Sequence, residues 1–151
     1  MKIILDSNLL LLLVVGFTSR DYIKIHKRLN SYIDDDFILL TKILNSATGV
    51  IVTPNTLTET SNLVGYVSDP ARSNIYRVFQ AIVEAPGNEE RFIESKIVMA
   101  RTEFVRLGLT DAALLQMATE AHTLLTADVD LYLAALKQGL KAENFNHLRN
   151  L

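Results

Sequence analysis

Several acidic side chains of this sequence stand where carboxylates do chemistry. Asp6 closes the apolar run that begins at Lys2, and Asp111 opens a helical stretch. Asp128 and Asp130 follow the apolar run Leu124–Thr126, and Glu59 lies in the second turn of the stretch opened by Pro54. Each has an ordinary explanation on its own: an aspartate caps a helix or makes a turn, and a glutamate on a helix is usually solvated. Asp6 resists that explanation most, because the end of a buried strand is a poor place for an unpaired charge. Gathered together, such carboxylates repel and cannot all stay ionised without compensation. Hard divalent cations supply it, and ligation by oxygen alone suits Mg2+ or Mn2+ and disfavours zinc. An ion so held polarises a phosphoryl oxygen and activates water, which is the chemistry of phosphodiester hydrolysis.

That chemistry needs a fold that brings the acids to one place. Short apolar runs at 2–6, 50–53, 123–126 and 142–145 read as strands, the first of them buried on both faces. Helical spacing fills the gaps. A buried helix follows Asn8 and stops near Gly16, and a second carries Tyr22, Ile23, Ile25, Leu29 and Ile33. Asp34, Asp35 and Asp36 start a third; side chains about 100° apart around a helix cannot converge on an ion, so they read as capping. Pro54 opens the next helix, with Leu57, Leu63 and Val64 on its apolar face. Further helices are expected through Ile75–Val83, along one amphipathic segment from Glu89 to Gly108, and over Leu131–Gly139 with Leu133, Leu136 and Leu140 inward.

Strands alternating with helices predict an α/β fold: a three-layer α/β/α sandwich with a short central parallel sheet, in one domain over residues 1–151. In such sheets ligands bind outside the carboxyl ends of the strands. The pattern therefore collects Asp6, Glu59, Asp111, Asp128 and Asp130 at one edge.

Composition sets limits. An apolar fraction of 49% argues against disorder, and a net charge of -2 argues against a general nucleic-acid coating protein. It does not exclude a nuclease, whose carboxylate cluster is itself acidic. With no cysteine there is neither disulfide nor thiolate chemistry, and His26, His122 and His147 are too scattered for a zinc site. Asp6 and Asn8 interrupt the apolar N-terminal stretch, which is also short of the ~20 residues that span a bilayer, so a cytoplasmic protein without a membrane segment is expected. Arg20, Lys24, Lys27 and Arg28 read as a solvated face or as a local guide for a phosphate backbone, and Arg101 to Arg106 is a second such stretch.

The ordered set Asp6-Ser7-Asn8, Glu59, Asp111 within Gly-Leu-Thr-Asp-Ala-Ala-Leu, and Thr126-Ala127-Asp128-Val129-Asp130 resembles the PIN domain family across essentially the whole chain. These are metal-dependent nucleases that include the VapC-type toxin subunits of bacterial toxin–antitoxin pairs. The resemblance implies a catalytic quartet of Asp6, Glu59, Asp111 and Asp128, Asp130 as a further metal-side acid, and Asn8 and Thr126 as supporting groups. It also implies an endoribonuclease using Mg2+ or Mn2+, an RNA substrate, an antitoxin partner and a homodimer. A haloacid-dehalogenase-like phosphatase would need a second aspartate where Asn8 stands, and a receiver domain would need paired acids at the first strand and a late lysine. The rival from another class is a PIN-like binding or scaffold module without catalysis.

Overall fold

In the computed structural model, which describes residues 1–149, β1 (Lys2–Leu5) is the middle strand of a sheet. The sheet has five strands in the order β3 (Glu89–Glu90), β2 (Gly49–Val52), β1, β4 (Thr123–Thr126), β5 (Ala142–Asn144), and every pairing is parallel. Parallel neighbours require crossovers, and helices supply them. They are α1 (Ser7–Thr18), α2 (Arg20–Ile25), α3 (Asp34–Asn45), α4 (Pro54–Val64), α5 (Ala71–Glu84), α6 (Ser95–Met99), α7 (Phe104–Leu107), α8 (Leu109–Ala118), α9 (Val129–Lys137) and α10 (Phe145–Arg149).

Two apolar cores show that helices cover both faces. Successive side chains of a strand point to opposite sides of the sheet. Ile3 and Leu5 join the core formed with α1, α3 and α5, whereas Ile4 between them joins the core formed with α8 and α9. The expected α/β/α layering follows. Leu9 to Val15 are all buried, which explains why α1 is apolar all round: it lies beneath the other helices of its layer and packs on α2, α3, α4 and α5.

The connectivity makes a crevice. From β1 the chain steps outward to β2 and β3, then crosses back to β4 on the other side of β1. The order therefore reverses between β1 and β4, and the loops leaving these two strands diverge to open a crevice at their carboxyl ends. Asp6 leaves β1 and Asp128 follows β4, so these two acids flank that switch point.

Local packing overrides the sequence pattern in several places. α1 does not stop at Gly16 but continues to Thr18; the glycine is there because the Phe37 ring of α3 occupies the space a Cβ would take. The helix expected to reach Ile33 ends at Ile25. His26 is buried and its Nδ1 accepts the Arg28 amide at 3.2 Å, bending the chain into a 3-10 turn at Lys27–Leu29 and leaving Ile25 and Ile33 exposed. The single segment expected from Glu89 to Gly108 is instead β3, α6 and α7. Its first residues complete the otherwise open edge of β2, with the Arg91 amide donating to Val52 O at 2.9 Å. On α9 the inward residues are Leu131, Ala134 and Ala135, while Leu133 and Leu136 are exposed. The cap at Asp128 fixes the rotation of this helix, and the two alanines let it lie close to its neighbours. β5 ends at Asn144, and Phe145 starts α10.

Candidate functional site

Asp6 is the best-anchored of the acids. It is 3% exposed and serves as the N-cap of α1, Oδ1 accepting the Leu9 amide at 2.9 Å. Oδ2 accepts the Thr126 hydroxyl at 2.5 Å and the Ala127 amide at 2.9 Å. A carboxylate offers about four acceptor positions, so one is left. Burial pushes the Asp6 carboxyl above the ordinary aspartate range; the bonds from Thr126, Leu9 and Ala127 oppose that shift, and the charge of Asp128 adds to it.

Thr126 joins the two halves of the site. Fully buried at the end of β4, it donates its hydroxyl to Asp6 and accepts the Asp128 amide at 2.9 Å. Asp128 in turn caps α9, its Oδ1 accepting the Leu131 amide at 3.1 Å. Two aspartates 122 positions apart in sequence are thus tied through one side chain, that of Thr126.

Asp111 enters in the first turn of α8. Burial pushes its carboxyl up to about 7, and the charges of Asp128, Asp6 and Glu59 act in the same direction. Asp111 therefore lies within electrostatic reach of the other three acids of the expected quartet. Glu59 is exposed on α4, whose start is fixed by Pro54 and by the Thr53 hydroxyl accepting the Thr56 amide at 3.1 Å. With Thr110, Asn55 and Asn62 it lines a cleft of about 400 Å³ that joins α4 to the start of α8.

Two expected members stand apart. Asp130 is exposed in the first turn of α9 and is not among the charges that shift Asp6 or Asp111. Asn8 is exposed at the start of α1, and its side chain has no hydrogen bond among the described residues. Of the aspartates at 34–36, all in the first turn of α3, Asp36 makes the capping bond: it accepts the Ile33 amide at 2.9 Å and pairs with Arg149 at 3.0 Å.

Sequence reading missed the far wall of the site. Tyr32 is half-buried, stacked beneath the Arg149 guanidinium, and its hydroxyl is pushed up to about 12, first by burial and then by the Asp6 charge. Asn146 of α10 donates to Ala127 O at 3.1 Å and steadies the loop whose amide holds Asp6. Neither residue carries a motif; only the return of α10 to the sheet edge places them there. Among the described residues the Ser7 and Thr60 hydroxyls, adjacent in sequence to Asp6 and Glu59, are buried without a partner, the kind of group an ordered water satisfies.

No family model, curated protein or solved structure matches this chain. The reading of the site therefore stands on its own residues. Among the described residues, no three His, Cys, Asp or Glu side chains lie close enough as placed to hold one ion. This rules out a ready-made cage of protein ligands. A magnesium ion, however, keeps most of its waters and commonly takes only one or two carboxylates. The donor set suits that demand: all oxygen, one acceptor position left on Asp6, and mutual repulsion among the acids that a cation would relieve.

Proposed function

We propose that this chain is a PIN-like, metal-dependent nuclease that hydrolyses phosphodiester bonds, RNA being the preferred substrate. The observation that carries the reading is the Thr126 bridge, which ties Asp6 to Asp128 at the topological switch point, where their charges and that of Glu59 act on Asp111. Burial of Asp6 with three donors costs stability that a purely structural turn would not require.

The residues divide the work by what holds them. Asp6 and Asp128 are fixed by backbone amides and by Thr126, so the acceptor position left on Asp6 and the second carboxylate oxygen of Asp128 present a constant geometry to a ligand. Asp111 is half-buried between them and Glu59, where its carboxyl can take or release a proton near neutrality. Glu59 is exposed and free to approach a bound substrate from the cleft it shares with Thr110. Mg2+ or Mn2+ held through one or two of the carboxylates of Asp6, Asp111, Asp128 and Glu59, with water at its other positions, would supply a Lewis acid for the phosphoryl oxygen and a water of lowered pKa.

The test is cleavage of labelled RNA and single-stranded DNA by purified protein with Mn2+, Mg2+ or EDTA. Metal-dependent cutting of RNA, abolished in Asp6→Asn, is expected. The absence of three acids within reach of one ion favours a second reading, a PIN-like binding module without catalysis. That reading prevails if nothing is cut with either metal while the protein still retains RNA on a filter.

A further inference from the structure

α9 leads away from the candidate site. Asp128 caps its first turn, and Lys137 at its other end lies roughly 13 Å further along by helical rise. Beside that end, the segment from Arg101 to Arg106 and the last turns of α9 enclose an open cleft of about 650 Å³. One wall of this cleft is rigid. Arg101 donates to Glu103 at 3.0 Å, to Gln116 at 2.6 Å and to Gln138 at 2.7 Å, so its guanidinium is fully engaged and Glu103 is neutralised by it.

The other two cations of the cleft are unengaged. Arg106 and Lys137 are exposed, and neither has an acidic partner within ion-pair distance among the described residues. Either one alone suits the negative end of its own helix. That does not account for both lining one cleft from separate elements, on a chain whose net charge is -2. The cleft is open to solvent and its free donors stand on two walls. This shape suits a phosphate backbone passing through better than a small enclosed anion.

We propose that the cleft between Arg106 and Lys137 is a second nucleic-acid contact, remote from the carboxylates, which holds the phosphodiester backbone of a single strand running outward along α9. The inference rests on the nuclease reading for the position of the cut bond, but it concerns binding alone and can fail separately. Charge neutralisation at each phosphate of a single strand lowers the slope of log K against log salt by about 0.7. Loss of both cations should therefore make that slope shallower by about 1.4.

The experiment measures anisotropy of a fluorescein-labelled 20-nucleotide polyuridine RNA in EDTA, over a series of KCl concentrations. Arg106→Gln/Lys137→Gln should bind more weakly at every concentration and show the shallower slope, while Lys42→Gln/Arg77→Gln on the opposite helical layer retains the wild-type slope. All these side chains are exposed, and matching circular dichroism and thermal midpoints confirm folded variants. An unchanged slope in the Arg106/Lys137 variant overturns the inference, as does an equal change in the control pair or no RNA binding by the wild type. A protein that binds through the cleft yet cuts no RNA with Mn2+ keeps the cleft and loses the nuclease. One that cuts RNA with an unchanged slope does the reverse.

Discussion

At the scale of single residues, Asp111 makes the site visible in a pH titration. Its carboxyl is raised in the folded protein to about 7 from an ordinary value of 3.8. A group raised on folding favours the folded state below its unfolded value, and that contribution is lost as pH rises through the folded value. The metal-free protein should therefore gain stability as pH falls from 8 toward 5, with Asp6, also raised, acting in the same direction. Asp111→Asn removes a charge that burial penalises. Its thermal midpoint at pH 8 in EDTA should exceed that of the wild type by at least ~3 °C, and its pH dependence should be flatter. A variant that is less stable at pH 8, with an unaltered pH profile, would show that Asp111 is an ordinary cap. Thr126 gives a second test. Thr126→Val keeps the shape but takes one of the two donors from Asp6 Oδ2, leaving it the Ala127 amide, and leaves the Asp128 amide without its acceptor. The expected cost is about 1–3 kcal/mol in urea unfolding at neutral pH, and Thr126→Ser should recover most of it.

At the scale of elements, what could be read from the sequence depended on where each element obtains its partners. β1, β2 and β4 are continuous apolar runs because helices cover both their faces, so the pattern alone reveals them. β3 is Glu89–Glu90, two charged residues that form a strand only because β2 presents an open edge. Nothing in its composition says so. The phase of α9 was misread for a similar reason: Leu133 and Leu136 look like a buried stripe, yet the cap at Asp128 turns Leu131 and two alanines inward. Gly16 shows how packing can reverse a propensity. Alanine is favoured over glycine inside a helix by about 1 kcal/mol, and Gly16 lies within α1. The Phe37 ring leaves no room for a methyl group, however, and overpacking costs typically 1–3 kcal/mol. Gly16→Ala should thus be destabilising in urea unfolding, and adding Phe37→Leu should reduce the loss. If the single variant proves more stable than wild type, α3 can yield and the close approach does not matter.

At the scale of the whole molecule, charge is separated in a way that the net value of -2 conceals. Asp6, Asp111 and Asp128 stand where β1 and β4 end, while Arg106 and Lys137, two cations without an acidic partner among the described residues, line the outer cleft. The position of Asp6 and Asp128 at one sheet edge was legible because the alternation of strands with helices and the carboxyl-end rule suffice to put them there. The contributions of Tyr32, Asn146 and Arg149 were not, since they depend on the return of α10 to the edge of the sheet. On the proposed nuclease reading, the same arrangement would make a cation a folding ligand. In the ion-free protein the repulsion among the acids opposes the folded state, and an ion bound only by the native site shifts the equilibrium by mass action. At a hundredfold excess over its dissociation constant, that shift is about 2.7 kcal/mol, or roughly 5–10 °C for a chain of this size. Titrating Mn2+ into metal-free protein at pH 8 should raise the thermal midpoint of the wild type by that order. Asp6→Asn and Asp128→Asn should lose most of the rise, whereas Asp130→Asn should keep it, because Asp130 stands outside the group that shifts Asp111. An equal rise in all four proteins would place the ion elsewhere, and no rise at 10-millimolar order would favour the binding module.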